Sequence, residues 1–490
     1  APVPALTAAA LKGHMANSAI DYSDVQGTIL RGYRVDMARH FILRITDPAA
    51  AGALIGGLVD GAGALPRITT AARWTVKPEC FVNLAFTSAG LAALGLTPKQ
   101  LASFDTAFQR GATDSVSAST VGDVGESAPA NWIGGLSSAA QVHLVLSLWV
   151  DDDPAALEAV TARLRRAFAG CVAELSAHDA HALPANRVHF GYHDSIAQPT
   201  VIGAPPRKHS IPDDQSPVAT GEFLLGYANQ SGAAYTVQPA ELSTNSSYAA
   251  FRILEQDVPG FESFLATYAA QAGIDPEMLA AKVCGRWRNG NPLVLAPDAQ
   301  GPEMPLSQLN DFTYVSTDAT KDDTLGFRCP IGSHIRRNNP RNAAVVGAGS
   351  ASHRIVRRAM PYGPAYDPAH PVSIPRGLIG YFINASITAQ FEFLTSQWNL
   401  SSSFVKSALG PGGFDAGNAV FNISGQDVFQ GVNDPASSSF TLAAPGAKGS
   451  NNKHLKGFSR LITTRGGAYC FLPSIRGLRY LAALPGHAPG

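Results

Sequence analysis

Apolar positions along the chain fall into two series of short runs and helix-period stretches, and the two series share a plan. In the first, RHFILRI (39–45) predicts a strand and the Ala/Leu-rich stretch over 48–60 a helix. CFVNLAFT (80–87) predicts a second strand behind Pro78, and residues 88–95 open a short helix ending near Gly95. VHLVLSLWV (142–150) predicts a third strand. It runs into DDDPAALEAVTARLRRAFAGCVAEL, where Asp151–Asp153 and Pro154 mark a helix start: the helix dipole favours negative charge there, and proline lacks an amide that would go unpaired. RVHFGY (187–192) is the expected closing strand. The order is that of a ferredoxin-like α+β sandwich.

The second series repeats it. SYAAFRILEQ (247–256) reads as a strand with VPGFESFLATYAAQAG as its helix, and GLIGYFINAS (377–386) as a strand leading into the helical ITAQFEFLTSQW (387–398). GAYCFL (467–472) and PSIRGLRYLAAL complete the set. The expected organisation is an N-terminal extension (1–23), a first ferredoxin-like domain (24–210) and a second (211–490), each a four-stranded antiparallel sheet flanked by helices. The linker between them is PPRKHSIPDDQSP. Residues 111–140 read as a long surface excursion, and 401–455 show little periodicity. The 287–376 stretch, rich in Pro, Gly, Asn and Arg, is where a site is expected, because long irregular segments inside compact domains usually carry function.

Composition narrows the partners. Of 490 residues, 45% are apolar and 15% charged, enough apolar content for a large core. Lys+Arg and Asp+Glu both number 37, so no basic stripe for nucleic acid and no polybasic membrane patch is expected. No apolar run reaches the roughly 18–20 residues that span a bilayer. Five scattered cysteines without a C-x-x-C pair read as free, mostly buried thiols, which favours a cytoplasmic, reducing setting and leaves secretion open. The balanced charge permits a monomer or a homodimer.

Three places could carry chemistry. In FRCPIGSHIRRNNPRNA (327–343), His334 stands among Arg336, Arg337 and Arg341. Like charges disfavour its cationic form, and neutral imidazole is what a metal requires, while the arginines suit the carboxylates of an anionic cofactor. The same spacing also fits a basic surface loop with a hydrogen-bonded histidine. In SHRIVRRAMPYGP (352–364), Arg354, Arg357 and Arg358 flank an apolar pair, so at least one should point inward, where a guanidinium can stabilise developing negative charge. In HFGYHDSIAQP (189–199), Asp194 is placed where a carboxylate could move protons, although capping a turn or a helix is the commoner use of such an aspartate.

Taken in order, SDVQGTILRGY (23–33), GYHD (191–194), CPIGSHIRRNNPR, RIVRRAMPYGP, RGLIGYFINASITAQFEF and RGGAYCFLPS resemble the dye-decolourising peroxidase family over nearly the whole chain. The resemblance implies two ferredoxin-like domains with one haem b per chain, held mainly by the C-terminal domain. It implies a peroxidase that uses hydrogen peroxide to oxidise dyes, phenols and similar aromatic reductants by one-electron steps. His334 matches the proximal iron ligand, Asp194 the distal acid–base and Arg357 the distal arginine, with Arg354 a rival; Arg336 and Arg341 are expected at the cofactor. Glu392 is the candidate partner of the second nitrogen of His334. Two departures stand out: Ser195 replaces the last glycine of the family's G-x-x-D-G motif, and Ala359 an asparagine found in some relatives. Tyr381 and Trp398 are candidates for relaying electrons from substrates too bulky for the pocket. The alternative reading is a haem-binding or haem-handling protein, which would need His334 but neither Asp194 nor Arg357.

Overall fold

Three described helices that directly follow a strand start in the same way: Asp47, Asp153 and Asp257 each turn a carboxylate back onto an amide of the first turn, with Pro48, Pro154 and Pro259 at the first or second position. Such caps contribute roughly 1 kcal/mol apiece and set where each helix leaves its strand. The computed structural model describes residues 19–205, 215–343, 349–402, 425–446 and 450–484. The expected boundary at 210/211 lies outside them, as does most of the extension.

In the first half, β1 (Met37–Ile45), β2 (Phe81–Phe86), β3 (Leu144–Val150) and β4 (Val172–His181) combine with helices Pro48–Asp60 and Pro154–Phe168. In the second, β5 (Ser247–Gln256), β6 (Val356–Tyr362) and β7 (Gly377–Asn384) are joined, beyond the small hairpin of β8 (Ser439–Leu442) and β9 (Lys453–Lys456), by β10 (Ile462–Leu472). Each half has the ferredoxin-like α+β arrangement, and the two four-stranded sheets join edge to edge in the order β4-β1-β3-β2-β10-β5-β7-β6, antiparallel throughout. Their junction is the pairing of Phe86 with Phe471.

The joined sheet curls back on itself. Ser147 of β3 and Tyr381 of β7, four places apart in strand order, lie 2.7 Å apart through their hydroxyls, and the edge strands β4 and β6 approach each other. Ser147 also bonds His40 Nδ1 at 2.7 Å, and Phe251 stacks obliquely between His40 and Tyr381. Side chains alternate across a strand, so Phe251 and Tyr381 face this interior while Arg252 and Phe382 face outward.

The sequence reading needs three corrections. The strand that closes the first half is Val172–His181, not 187–192, which forms a turn. AGCVAEL therefore does not continue the helix, which stops at Phe168. This edge strand is half exposed and polar, so it lacks the apolar run that marked its neighbours. The stretch around 111–140 is no mere surface excursion, since it buries Asp123, Trp132 and Leu136 against the second half.

Candidate active site

Outside the second half-sheet, between it, the 334–341 segment and the turn after Tyr192, lies a cavity that opens in part to solvent. Leu254, Phe382, Phe391, Leu394, Phe429 and Ile462 give it apolar walls. The charged lining is one-sided: arginines 252, 286, 341, 354, 357 and 460 with no Asp or Glu among the described lining residues.

His334 opens the short helix His334–Asn338. Ser333, just before it, donates to Lys282 O, and Arg337, fully buried, donates to the carbonyls of Gly332, Trp398, Ser401 and Gly425, so the helix is tied down on both sides. Burial pushes the Arg337 guanidinium down to about 10, with the nearby Asp427 charge opposing. His334 Nδ1 lies 3.0 Å from Asp427 Oδ2, and Phe429 packs edge-on against the ring. Burial alone would raise the Asp427 carboxyl; the His334 imidazole and the Arg337 charge outweigh it and hold the group below its ordinary value. With Nδ1 engaged, Nε2 has no hydrogen-bond partner among the described residues while its ring lines the cavity. An imidazole oriented by a buried carboxylate and presenting its other nitrogen is the usual arrangement of a metal-ligating histidine.

The sequence brought other residues here with mixed results. Arg341 lines the cavity at φ +53, its guanidinium over Phe312 and bonded to the carbonyls of Asn310 and Phe312. Its neighbour Arg286 is pushed down to about 10 by burial and by the Arg341 charge, which marks a place suited to an anion. Arg354 is buried at the wall and reaches Asn339. Arg336 is a correction: it does not line the cavity but bonds Asp323 at 3.1 Å and stacks over Tyr314, holding the loop beneath. Glu392 is a second. Its two oxygens are taken by Tyr469 Oη at 3.0 Å and Arg110 Nη2 at 3.1 Å, and Nδ1 of His334 is bonded to Asp427 instead.

Asp194 is not among the residues that line the cavity, whereas Ala197 and Pro199, three and five residues further on, do line it. Ser195 adopts φ +61, a left-handed conformation that glycine takes up freely, and its amide donates to Asp194 Oδ1 at 2.6 Å. Arg357 reaches the cavity from β6 and donates to Ala197 O, while Gln198 exchanges two hydrogen bonds with its backbone. The turn of Asp194 and the strand of Arg357 are thus fastened together. Tyr381 faces the sheet's interior, and Trp398 is buried with Nε1 unpartnered. Ala359 pairs with Gly380 and stays outside the cavity.

No protein-family model matches the chain. Among curated proteins it is 27% identical over 512 residues to dye-decolorizing peroxidase msp1 of Mycetinis scorodonius, covering 98% of this chain and 90% of the relative. It is 28% identical to the dye-decolorizing peroxidase of Exidia glandulosa, with 97% and 90% covered. A solved dye-decolorizing peroxidase in complex with 2,6-dimethoxyphenol superposes with a TM-score of 0.75 at 26% identity, over 95% of this chain and all of that one. The chain is a peroxidase, similar to dye-decolorizing peroxidases over nearly its whole length. Members of the family are haem enzymes, and peroxide with aromatic reductants is what their activity implies. The cavity of this peroxidase fits a haem by its own chemistry: a presented imidazole nitrogen, apolar walls, and buried arginines for carboxylates that the described lining itself does not supply. No described helix is long and apolar enough to cross a membrane.

Proposed function

We propose that the chain holds one haem b through Nε2 of His334 and uses hydrogen peroxide to oxidise dyes, phenols and similar aromatics in one-electron steps. The observation that carries this reading is the His334–Asp427 pair at the wall of a cavity lined by arginines and by no carboxylate among the described residues. When bound, the haem supplies the redox chemistry: a two-electron reduction of peroxide, made good by two single electrons from the reductant.

The chain's residues do the rest. Asp427 accepts the Nδ1 proton of His334 and so increases the electron donation of the ligand nitrogen. Arg286 and Arg341 face the cofactor's carboxylates. Asp194 takes a proton from one peroxide oxygen and returns it to the other, so that water leaves. Arg357 stabilises the negative charge that grows on the departing oxygen. Its bond to Ala197 keeps guanidinium and carboxylate on one support. The cofactor belongs to the unit spanning 211–490, and the unit spanning 24–210 contributes the acid–base.

An optical spectrum before and after peroxide tests the reading, with an anthraquinone dye as reporter. His334→Ala should lose the haem band after hemin reconstitution. Asp194→Asn and Arg357→Leu should keep it and react more slowly with peroxide. Full peroxide reactivity in both would overturn the roles given to Asp194 and Arg357.

A further inference from the structure

One stretch of the cavity wall carries an arginine that the reaction above leaves without a task. Arg460, on the chain just before β10, lines the cavity together with Val121, Ile462 and Thr464. Its terminal nitrogens donate to the carbonyls of Val124 at 3.2 Å and Gly122 at 2.7 Å, which fixes the guanidinium in place. Its Nε is buried and meets no acceptor among the described residues. Arg252, whose charge acts on Arg460, is already matched by the two bonds of Asp123, so the three side chains together leave one positive charge at this wall. The buried Thr464 hydroxyl accepts from Arg252 at 3.0 Å, and its own proton is uncommitted among the described residues.

We propose that Arg460 and Thr464 form an anion-holding subsite for the reducing substrate, selecting phenols that carry a carboxylate. The idea rests on the peroxidase reading and deepens it by naming a class of reductant. Three features support it. A buried donor without an acceptor is costly, and a carboxylate oxygen at Nε removes that cost with a charge-assisted bond. Burial lowers the Arg460 guanidinium from its ordinary value, with the Asp123 charge opposing and the Arg252 charge adding to the effect, so an arriving anion relieves the site. Val121, Ile462 and Phe391 supply apolar surface for the aryl ring that bears the carboxylate. The subsite is also separate from the arginines that suit the cofactor. Arg460 answers to Asp123 and Arg252, whereas Arg286 answers to Arg341. Arg286 and Arg341 are buried, while Arg460 is half-buried and can be reached by a molecule that comes and goes.

Titration calorimetry of the haem-reconstituted protein without peroxide tests the subsite, with 4-hydroxybenzoate and its methyl ester as probes. The acid should bind at least about tenfold more tightly than the ester, the scale of a charge-assisted hydrogen bond. That preference, and the matching ratio of KM values for the two reductants in turnover, should vanish in Arg460→Met and return in part in Arg460→Lys. Equal affinity for acid and ester in the unaltered protein overturns the subsite without any substitution. A preference that survives in Arg460→Met does the same. A loss of hemin affinity in Arg460→Met that Arg460→Lys restores assigns the guanidinium to the cofactor's own carboxylates and likewise overturns the subsite. A haem band indifferent to peroxide overturns the peroxidase reading, and with it the acid's role as reductant, whatever the calorimetry shows.

Discussion

Nδ1 of His334 and Oδ2 of Asp427 lie 3.0 Å apart across 93 residues of sequence, the carboxylate fully buried and the imidazole a quarter exposed. Oδ1 of the same aspartate accepts the amides of Phe429 and Gln430 at 2.8 Å, so one side chain both closes a turn and orients His334. Asp427→Asn keeps the shape and removes the charge. Haem affinity or the peroxide reaction should fall about 10–100-fold, as outer-shell partners of metal ligands generally behave. The iron reduction potential should rise, which spectroelectrochemistry reads; an unchanged potential would argue against electronic control by Asp427.

Arg252 and Asp123 form a bidentate pair, both bonds 2.6 Å, with neither side chain appreciably exposed. Removing one partner leaves a buried charge alone. Asp123→Ala is expected to destabilise the fold by about 3–5 kcal/mol in chemical denaturation, and replacing both partners with apolar residues of similar volume should restore much of the loss. A single substitution costing under about 1 kcal/mol, the scale of an exposed pair, would contradict this.

Ser195 holds a left-handed backbone that costs a non-glycine residue roughly 1–2 kcal/mol. Ser195→Gly should be neutral or stabilising by about 1 kcal/mol, while a β-branched residue there should destabilise. Thermal melts of the Gly and Val variants decide the matter, and a Val variant as stable as the parent would show that the turn relaxes freely.

Glu222 is buried with one oxygen bonded to the Gln230 amide and the other without a partner among the described residues. Burial pushes its carboxyl up to about 7. The folded chain therefore binds this proton more tightly than the unfolded chain. Its stabilising contribution is complete below the ordinary glutamate value near about 4.3 and falls as pH rises toward 7, by at most about 1.4 kcal/mol per pH unit. Glu222→Gln should escape that decline. Melting curves of the two proteins should separate between pH 5 and about 7, and parallel curves would refute the assignment.

Much of the scaffold could be read directly from sequence because the central strands are buried on both sides: FVNLAF and LVLSLWV have every residue inside. The losses came where that signal fails. β4 is a half-exposed edge strand, and β6 carries Arg357 and Arg358 where an apolar run would be looked for. At the site, His334 stood out by its arginine neighbours, yet the arginines do different work: Arg337 anchors the helix and Arg336 the loop below, while Arg341 faces the cavity. Asp427 gave no local sign, since SGQDVFQG has no periodicity and its aspartate reads as an ordinary turn residue. Glu392 sits in a conspicuous F-E-F setting, but only the fold reveals that it turns toward Tyr469 and Arg110.

Exposed strand edges are docking templates for foreign chains, and proteins usually blunt them with charges, prolines or short lengths. Here the curl of the sheet does that work by setting β4 and β6 against each other. Neither half could keep this protection alone: parted, each would display the rim that the other now screens, and fibrous association would become the natural fate of a severed product.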